Sequence, residues 1–175
     1  MRQTLKLHPD SRCAAVTLIE ARATRSHPGM LALHFIVTGQ MRDLRFPPVA
    51  ASERTDELWR HTCFEAFVRA PRGTGYSEFN FAPSTQWAAY RFNDYRDGMT
   101  VADEVPAPRI DVISSATCLE MQVSLALSGD APWRLGLSAV MEETSGVKSY
   151  WALAHPPSKP DFHHADCFAL ELPAA

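Results

Sequence analysis

Two glutamates and an asparagine carry the most pointed chemistry in this chain. Glu65 stands in the run Phe64-Glu65-Ala66-Phe67-Val68, and Glu78 and Asn80 in Tyr76-Ser77-Glu78-Phe79-Asn80-Phe81. Side chains alternate sides along an extended chain, so Phe64, Ala66 and Val68 share one face, as do Phe79 and Phe81. Glu65, Glu78 and Asn80 then lie on the opposite faces. If the two runs form a hairpin across Pro71-Arg72-Gly73-Thr74-Gly75, all three occupy one surface. Carboxylates and amides bind paired hydroxyls, and Trp59 and Trp87, placed at strand mouths, offer flat faces to a sugar ring. The ligand this arrangement suits is neutral and polyhydroxylated. The same spacing also fits a hydrated outer face, its acids paired with Arg69 and Arg91 in surface salt bridges worth about 0–1 kcal/mol. A third reading makes Glu65 and Glu78 an acid–base pair for glycoside hydrolysis, which uses carboxyls about 5–9 Å apart. Nothing in the sequence shows that one of them is desolvated to raise its pKa. A non-catalytic binding domain is therefore the expectation, with a glycoside-active enzyme as an alternative.

The remaining reactive residues give weaker patterns. Cys13, Cys63, Cys118 and Cys167 are widely spaced with no C-x-x-C pair, so they read as free thiols and not as a zinc knuckle or redox motif. A nucleophilic Cys63 beside His61 is disfavoured, because strand neighbours two apart rarely meet in hydrogen-bonding geometry. His155, Asp161, His163, His164 and Asp166 match no zinc-enzyme spacing, and consecutive histidines point to opposite sides of an extended chain. No cofactor is expected. The alternatives are haem, held by Met99 with His155, His163 or His164, and calcium, held in the loops Asp94–Asp97 and Asp103-Glu104.

Strands must position these groups. Leu31, Leu33, Phe35 and Val37 alternate with Ala32, His34, Ile36 and Thr38, and Leu119, Met121, Val123, Leu125 and Leu127 alternate with more polar neighbours. Further strand-like runs are Thr4–Leu7, Val16–Ala23, Phe64–Arg69, Ser77–Ala82, Trp87–Phe92, Ile110–Ser114, Leu135–Met141, Tyr150–Ala154 and Cys167–Leu172. Turn chemistry separates them at His27-Pro28-Gly29, Phe46-Pro47-Pro48, Asp94–Gly98, Ser128-Gly129-Asp130 and Ser145-Gly146. A helical turn is expected only within Ser52–Arg60, capped by Ser52 or Thr55. Many short strands without βα alternation predict an all-β fold, an antiparallel, jelly-roll-like β-sandwich of two sheets with at most one or two short helices.

At 175 residues the chain suits one domain that buries a core without disulfides or metal. A hydrophobic fraction of 46% excludes intrinsic disorder. The net charge of −3 gives no strong pull towards nucleic acid or anionic membrane. Basic residues divide into 14 Arg and 3 Lys, a bias towards planar, bidentate contacts. No stretch approaches the ~18 apolar residues of a membrane span, and Met1–His8 lacks the apolar run of a secretory leader. A cytoplasmic protein is expected.

The pattern Trp59-x5-Glu65-x-Phe67, then Tyr76-x-Glu78-Phe79-Asn80-Phe81-x-Pro83, then Trp87, resembles the core of the superfamily of DOMON domains and family-9 carbohydrate-binding modules. The closing run Pro160-Asp161-Phe162-His163-His164-Ala165-Asp166-Cys167-Phe168 to Leu172 resembles that superfamily's last strand. The resemblance covers most of residues 55–172. It implies a β-sandwich of about eleven strands with ligand in a sheet-top or concave cleft, sugar in some members and haem in others. In the sugar binders an aromatic pair clamps the ring, and the acid after the first tryptophan bonds hydroxyls. By position this carries over to Trp59 and Glu65, and to Asn80. Phe162 and Trp151 are the candidates for the second clamp. The chain departs from the pattern in offering Phe162-His163-His164 where the sugar binders prefer a tryptophan, and the sugar binders are exported. The expected ligand site is thus Trp59, Glu65, Glu78, Asn80 and Trp87, closed by Phe162 or His163, for a sugar-like small molecule.

Overall fold

The alternating segments form twelve strands in a computed structural model that describes residues 2–127, 129 and 131–174. They are β1 (Gln3–Leu7), β2 (Val16–His27), β3 (Met30–Gly39), β4 (Cys63–Arg69), β5 (Tyr76–Phe81), β6 (Trp87–Phe92), β7 (Thr100–Val101), β8 (Arg109–Ser114), β9 (Cys118–Ala126), β10 (Trp133–Glu142), β11 (Lys148–Ala152) and β12 (Leu170–Leu172). Three single 3-10 turns, Met41–Asp43, Leu58–Arg60 and Ala165–Cys167, are the helical elements among the described residues. One lies inside the expected Ser52–Arg60 segment. Its cap is Glu57 in a left-handed conformation, without a side-chain bond from Ser52 or Thr55. The expected strand Cys167–Leu172 divides into a 3-10 turn and the three-residue β12. Two residues of the expected turn at Ser128-Gly129-Asp130, Ser128 and Asp130, lie outside the described residues.

Among the described residues, all pairings between the twelve strands are antiparallel. The path runs β7-β6-β5-β4-β10-β11-β1-β2-β3-β9-β8, with β12 on the flank of β10. The two halves expected as separate sheets are joined at a corner by β1, which changes partner mid-strand. Gln3 to Leu5 pair with β2, and Lys6 and Leu7 pair with β11. The result is one curled sheet whose halves face each other across the core. Leu31, Leu33 and Phe35 of β3 and Leu119, Met121 and Val123 of β9 meet Phe64, Ala66, Phe79, Phe81 and Leu135 from the other half. The Phe35 and Phe64 rings lie 5.0 Å apart. Each Leu, Val, Met or Phe side chain among them, fully buried, contributes about 1.5–3 kcal/mol.

The central strands of the second half are buried on both faces. Behind the core, Phe67, Tyr76, Tyr90, Phe92 and Val140 form a second apolar cluster with Phe162 and Phe168. Those last two come from the irregular segment 155–168, which folds back over the sheet. Gly136 permits the approach, since a Cβ there would stand 3.1 Å from the carbonyl oxygen of Cys167. The outer face of β4 and β5 is thus covered, and not an open, hydrated surface.

Candidate functional site

The polar trio lies at the base of that covered face. The register sets Glu65 opposite Asn80 on β5 and opposite Ser138 on β10, and sets Phe67 opposite Glu78, which itself faces Tyr90 on β6. Strand parity puts all these side chains on one side of the sheet. Above them a cleft of about 940 Å³ opens, lined by Asp56, Glu57, Trp59, Arg60, Glu65, Glu78, Tyr90, Phe92, Arg96, Met99, Val101, Val140, Lys148, Tyr150, Pro160, Phe162 and His163. Trp59, carried by the 3-10 turn before β4, is 48% exposed and gives the cleft a flat aromatic wall. Phe162 and Tyr150, 6.1 Å apart between ring centres, form another.

Loops hold the walls through one buried carboxylate. Asp161 Oδ1 accepts from Arg96 Nη2 at 2.8 Å and Nε at 3.2 Å and from the His163 backbone N–H at 3.2 Å, and its Oδ2 accepts from the Tyr95 hydroxyl. Arg96 sits at φ +52°, a left-handed conformation that is uncommon outside glycine, with its N–H donating to the Tyr76 hydroxyl at 3.2 Å. Gly98 closes the same turn at φ +63°, where a Cβ would come 2.3 Å from Asn93 Nδ2. The Tyr76 hydroxyl lies 2.7 Å from His163 Nδ1. Burial, assisted by the charge of Arg96, holds His163 down to about 4, so the ring is neutral at pH 7. With Nδ1 assigned as the acceptor from Tyr76, the imidazole proton sits on Nε2, 3.6 Å from Glu78 Oε2.

The two acids are 3% and 6% exposed. Burial pushes Glu65 well above the usual carboxylate range, and the charge of Glu78 pushes it further, against the Ser138 hydrogen bond and Arg96. Burial also raises Glu78, opposed by its bond from Asn80 and by Arg96. Each acid has one oxygen satisfied by the sheet. Ser138 Oγ donates to Glu65 Oε2 at 3.2 Å, and Asn80 Nδ2 donates to Glu78 Oε1 at 2.8 Å. The site thus presents carboxyl acceptors beneath aromatic faces, which is chemistry for a ligand rich in O–H or N–H donors. Among the described residues, no three His, Cys, Asp or Glu side chains are grouped to hold a metal ion.

No family model matches the sequence, and no curated protein matches it. Similarity emerges in three dimensions. A protein from Bacteroides uniformis assigned to carbohydrate binding superposes with a TM-score of 0.67 at 13% identity, over 95% of this chain and 83% of that one. A carbohydrate-binding module of family 9 from Caldicellulosiruptor kristjanssonii, in complex with cellotriose, superposes with a TM-score of 0.52 at 10% identity, over 90% of this chain and 74% of that one. The fold resembles that of a family-9 carbohydrate-binding module.

On this family-9-like fold the residues singled out in the sequence separate by face. Trp59, Glu65, Glu78, Phe162 and His163 line one cleft. Asn80 lies beneath it, fully buried, orienting Glu78 and accepting from the Cys63 thiol at 3.7 Å. Trp87 does not reach the cleft. It pairs with Phe81 across β5 and β6, which puts its ring on the core face, 4% exposed, with the Arg54 guanidinium 4.3 Å over it. Trp151, the other candidate clamp, is also a core residue. The alternative partners of the acids are engaged elsewhere, Arg69 over the Phe168 ring and Arg91 with Glu104. Sequence reasoning missed Tyr90, Arg96, Lys148 and Tyr150. Tyr90 and Phe92 had a signal, because the hairpin after β5 gives them the parity of Glu78. Arg96 had none, since its place depends on Asp161, sixty-five residues away.

Proposed function

We propose that this protein is a non-catalytic binding module whose cleft takes a sugar, ring faces against Trp59 and Phe162 and hydroxyls against Glu65 and Glu78. The observation that carries this reading is the half-exposed Trp59 standing over a buried acid pair in a cleft of about 940 Å³. The family-9 neighbour, solved with cellotriose, supports it by analogy of fold. Each acid is fixed at one oxygen by the sheet, Glu65 by Ser138 and Glu78 by Asn80, which leaves the other oxygen as an acceptor for ligand hydroxyls.

One stacked ring and two or three hydroxyl contacts give only modest affinity, roughly micromolar to millimolar, because a solvated polar ligand gains little net energy. Calorimetric titration with glucose and cellotriose should show binding that Trp59→Ala abolishes while the protein stays folded. Absence of binding to either sugar, or undiminished binding by Trp59→Ala, would contradict the proposal.

A further inference from the structure

We infer that the ligand carries an amine, so that among sugars the cleft selects an amino sugar whose ammonium group sits between Glu65 and Glu78. This rests on the sugar reading above and names the class of sugar. The two acids are diagonal neighbours on adjacent strands, because Glu65 faces Asn80 and Glu78 faces Phe67. Such diagonal positions lie roughly 7–8 Å apart at the backbone, a separation that one nitrogen between two carboxyl groups can bridge.

The sheet satisfies one oxygen of each acid and leaves the other open. Glu65 Oε2 takes the Ser138 hydroxyl and Glu78 Oε1 takes the Asn80 amide. Glu65 Oε1 has no hydrogen-bond partner among the described residues, although its side chain is almost fully buried and lines the cleft. Glu78 Oε2 has His163 Nε2 at 3.6 Å, beyond a hydrogen bond. Nor does a protein cation settle between them. Arg96 is held by Asp161 through two nitrogens, and Arg60 pairs with Glu57 at 2.5 Å. Lys148 lines the cleft from β11, on the far side of β10 from β4 and β5. Asp56, bonded by the Tyr90 hydroxyl, adds a further acid at the rim, and His163 is neutral.

A hydroxyl donates a single hydrogen bond, so a neutral sugar needs two of them to meet both open oxygens. An ammonium group donates three, reaches both, and supplies the charge that a buried acid pair lacks. Its bonds to carboxylates are charge-assisted and about twice as strong as neutral ones. Burial favours the protonated form of the pair and a bound ammonium ion the ionised form, so binding shifts the pair towards ionisation. The proton released leaves to buffer.

The test is calorimetric titration of the wild-type protein at pH 7 with glucose, glucosamine and N-acetylglucosamine. Glucosamine should bind about ten-fold or more tighter than glucose, acetylation of the nitrogen should remove the advantage, and the heat should depend on the buffer in the sense of proton release. In Glu65→Gln and Glu78→Gln, checked as folded by circular dichroism, the glucosamine-to-glucose affinity ratio should fall to one. Equal affinity of the wild type for glucose and glucosamine, or a preference that survives in both variants, overturns the inference while leaving the sugar reading intact. No binding of any of the three sugars overturns both.

Discussion

Replacing Glu65 with glutamine should make the protein more stable, and increasingly so as the pH rises. Glu65 is buried between Asn80 and Ser138 with Glu78 beside it, so its folded-state pKa lies well above the usual 4.5. A carboxyl raised in this way adds stability that is fully present below the unfolded value and is lost as the pH rises through the folded value. Between those limits each proton that the folded chain keeps and the unfolded chain has released lowers stability by about 1.4 kcal/mol per pH unit. For a domain of this size that limiting slope is about 3–6 °C in Tm per pH unit. His163 works against it. Held at about 4 when folded, it makes stability rise with pH from there to its usual value of 6.5, and His155, also depressed by burial, acts in the same sense. The wild-type profile alone is therefore flattened, and the informative quantity is the difference between wild type and Glu65→Gln, in which the histidines largely cancel. Glutamine keeps the acceptor for Ser138 and the volume of the side chain. Thermal melts at intervals from pH 4.5 to 8 should show the variant pulling ahead of the wild type as pH increases. A gap that is constant with pH, or one that favours the wild type more as pH rises, would refute the burial argument for the acid pair.

Trp87→Ala should destabilise the fold by about 3–5 kcal/mol in urea titrations, since it empties a core position and leaves the cleft lining untouched; a loss under about 1 kcal/mol would contradict its placement. Asp161→Asn should loosen the attachment of Arg96, Tyr95 and His163, raising amide exchange around residues 160–164 and weakening ligand binding while β3 and β9 keep their protection. Exchange unchanged in that segment would show that apolar packing of Phe162 and Phe168, and not Asp161, holds it down.

The strands were legible because period-2 alternation is imposed by burial of one face, and it is strongest where that face is the core, as in β3 and β9. The shared surface of Glu65, Glu78 and Asn80 followed from parity within one hairpin. Parity failed for Trp87 because its face depends on the length of the turn from Ala82 to Gln86, which sets Phe81 opposite Trp87 and turns both rings inward. β7 is two residues long and carries no period to read. The covering layer carried no periodicity to read, and only the resemblance brought Phe162 and His163 of it to the site. Residues 155–168 have little regular structure, and their position is decided by contacts distant in sequence, Asp161 with Arg96 and His163 with Tyr76. For that reason the acids read equally well as surface salt bridges, and their burial became visible only in three dimensions.

The chain holds four tryptophans, of which Trp87, Trp133 and Trp151 are core residues and Trp59 alone borders the cleft. Their four indole N–H resonances therefore report sugar binding with three internal controls. On addition of cellotriose to nitrogen-15-labelled protein, the Trp59 indole signal should shift progressively and saturate while the other three stay in place. No movement of any indole signal at tens of millimolar sugar, a concentration above the roughly micromolar-to-millimolar range expected, would contradict the account, as would movement of the core signals without that of Trp59.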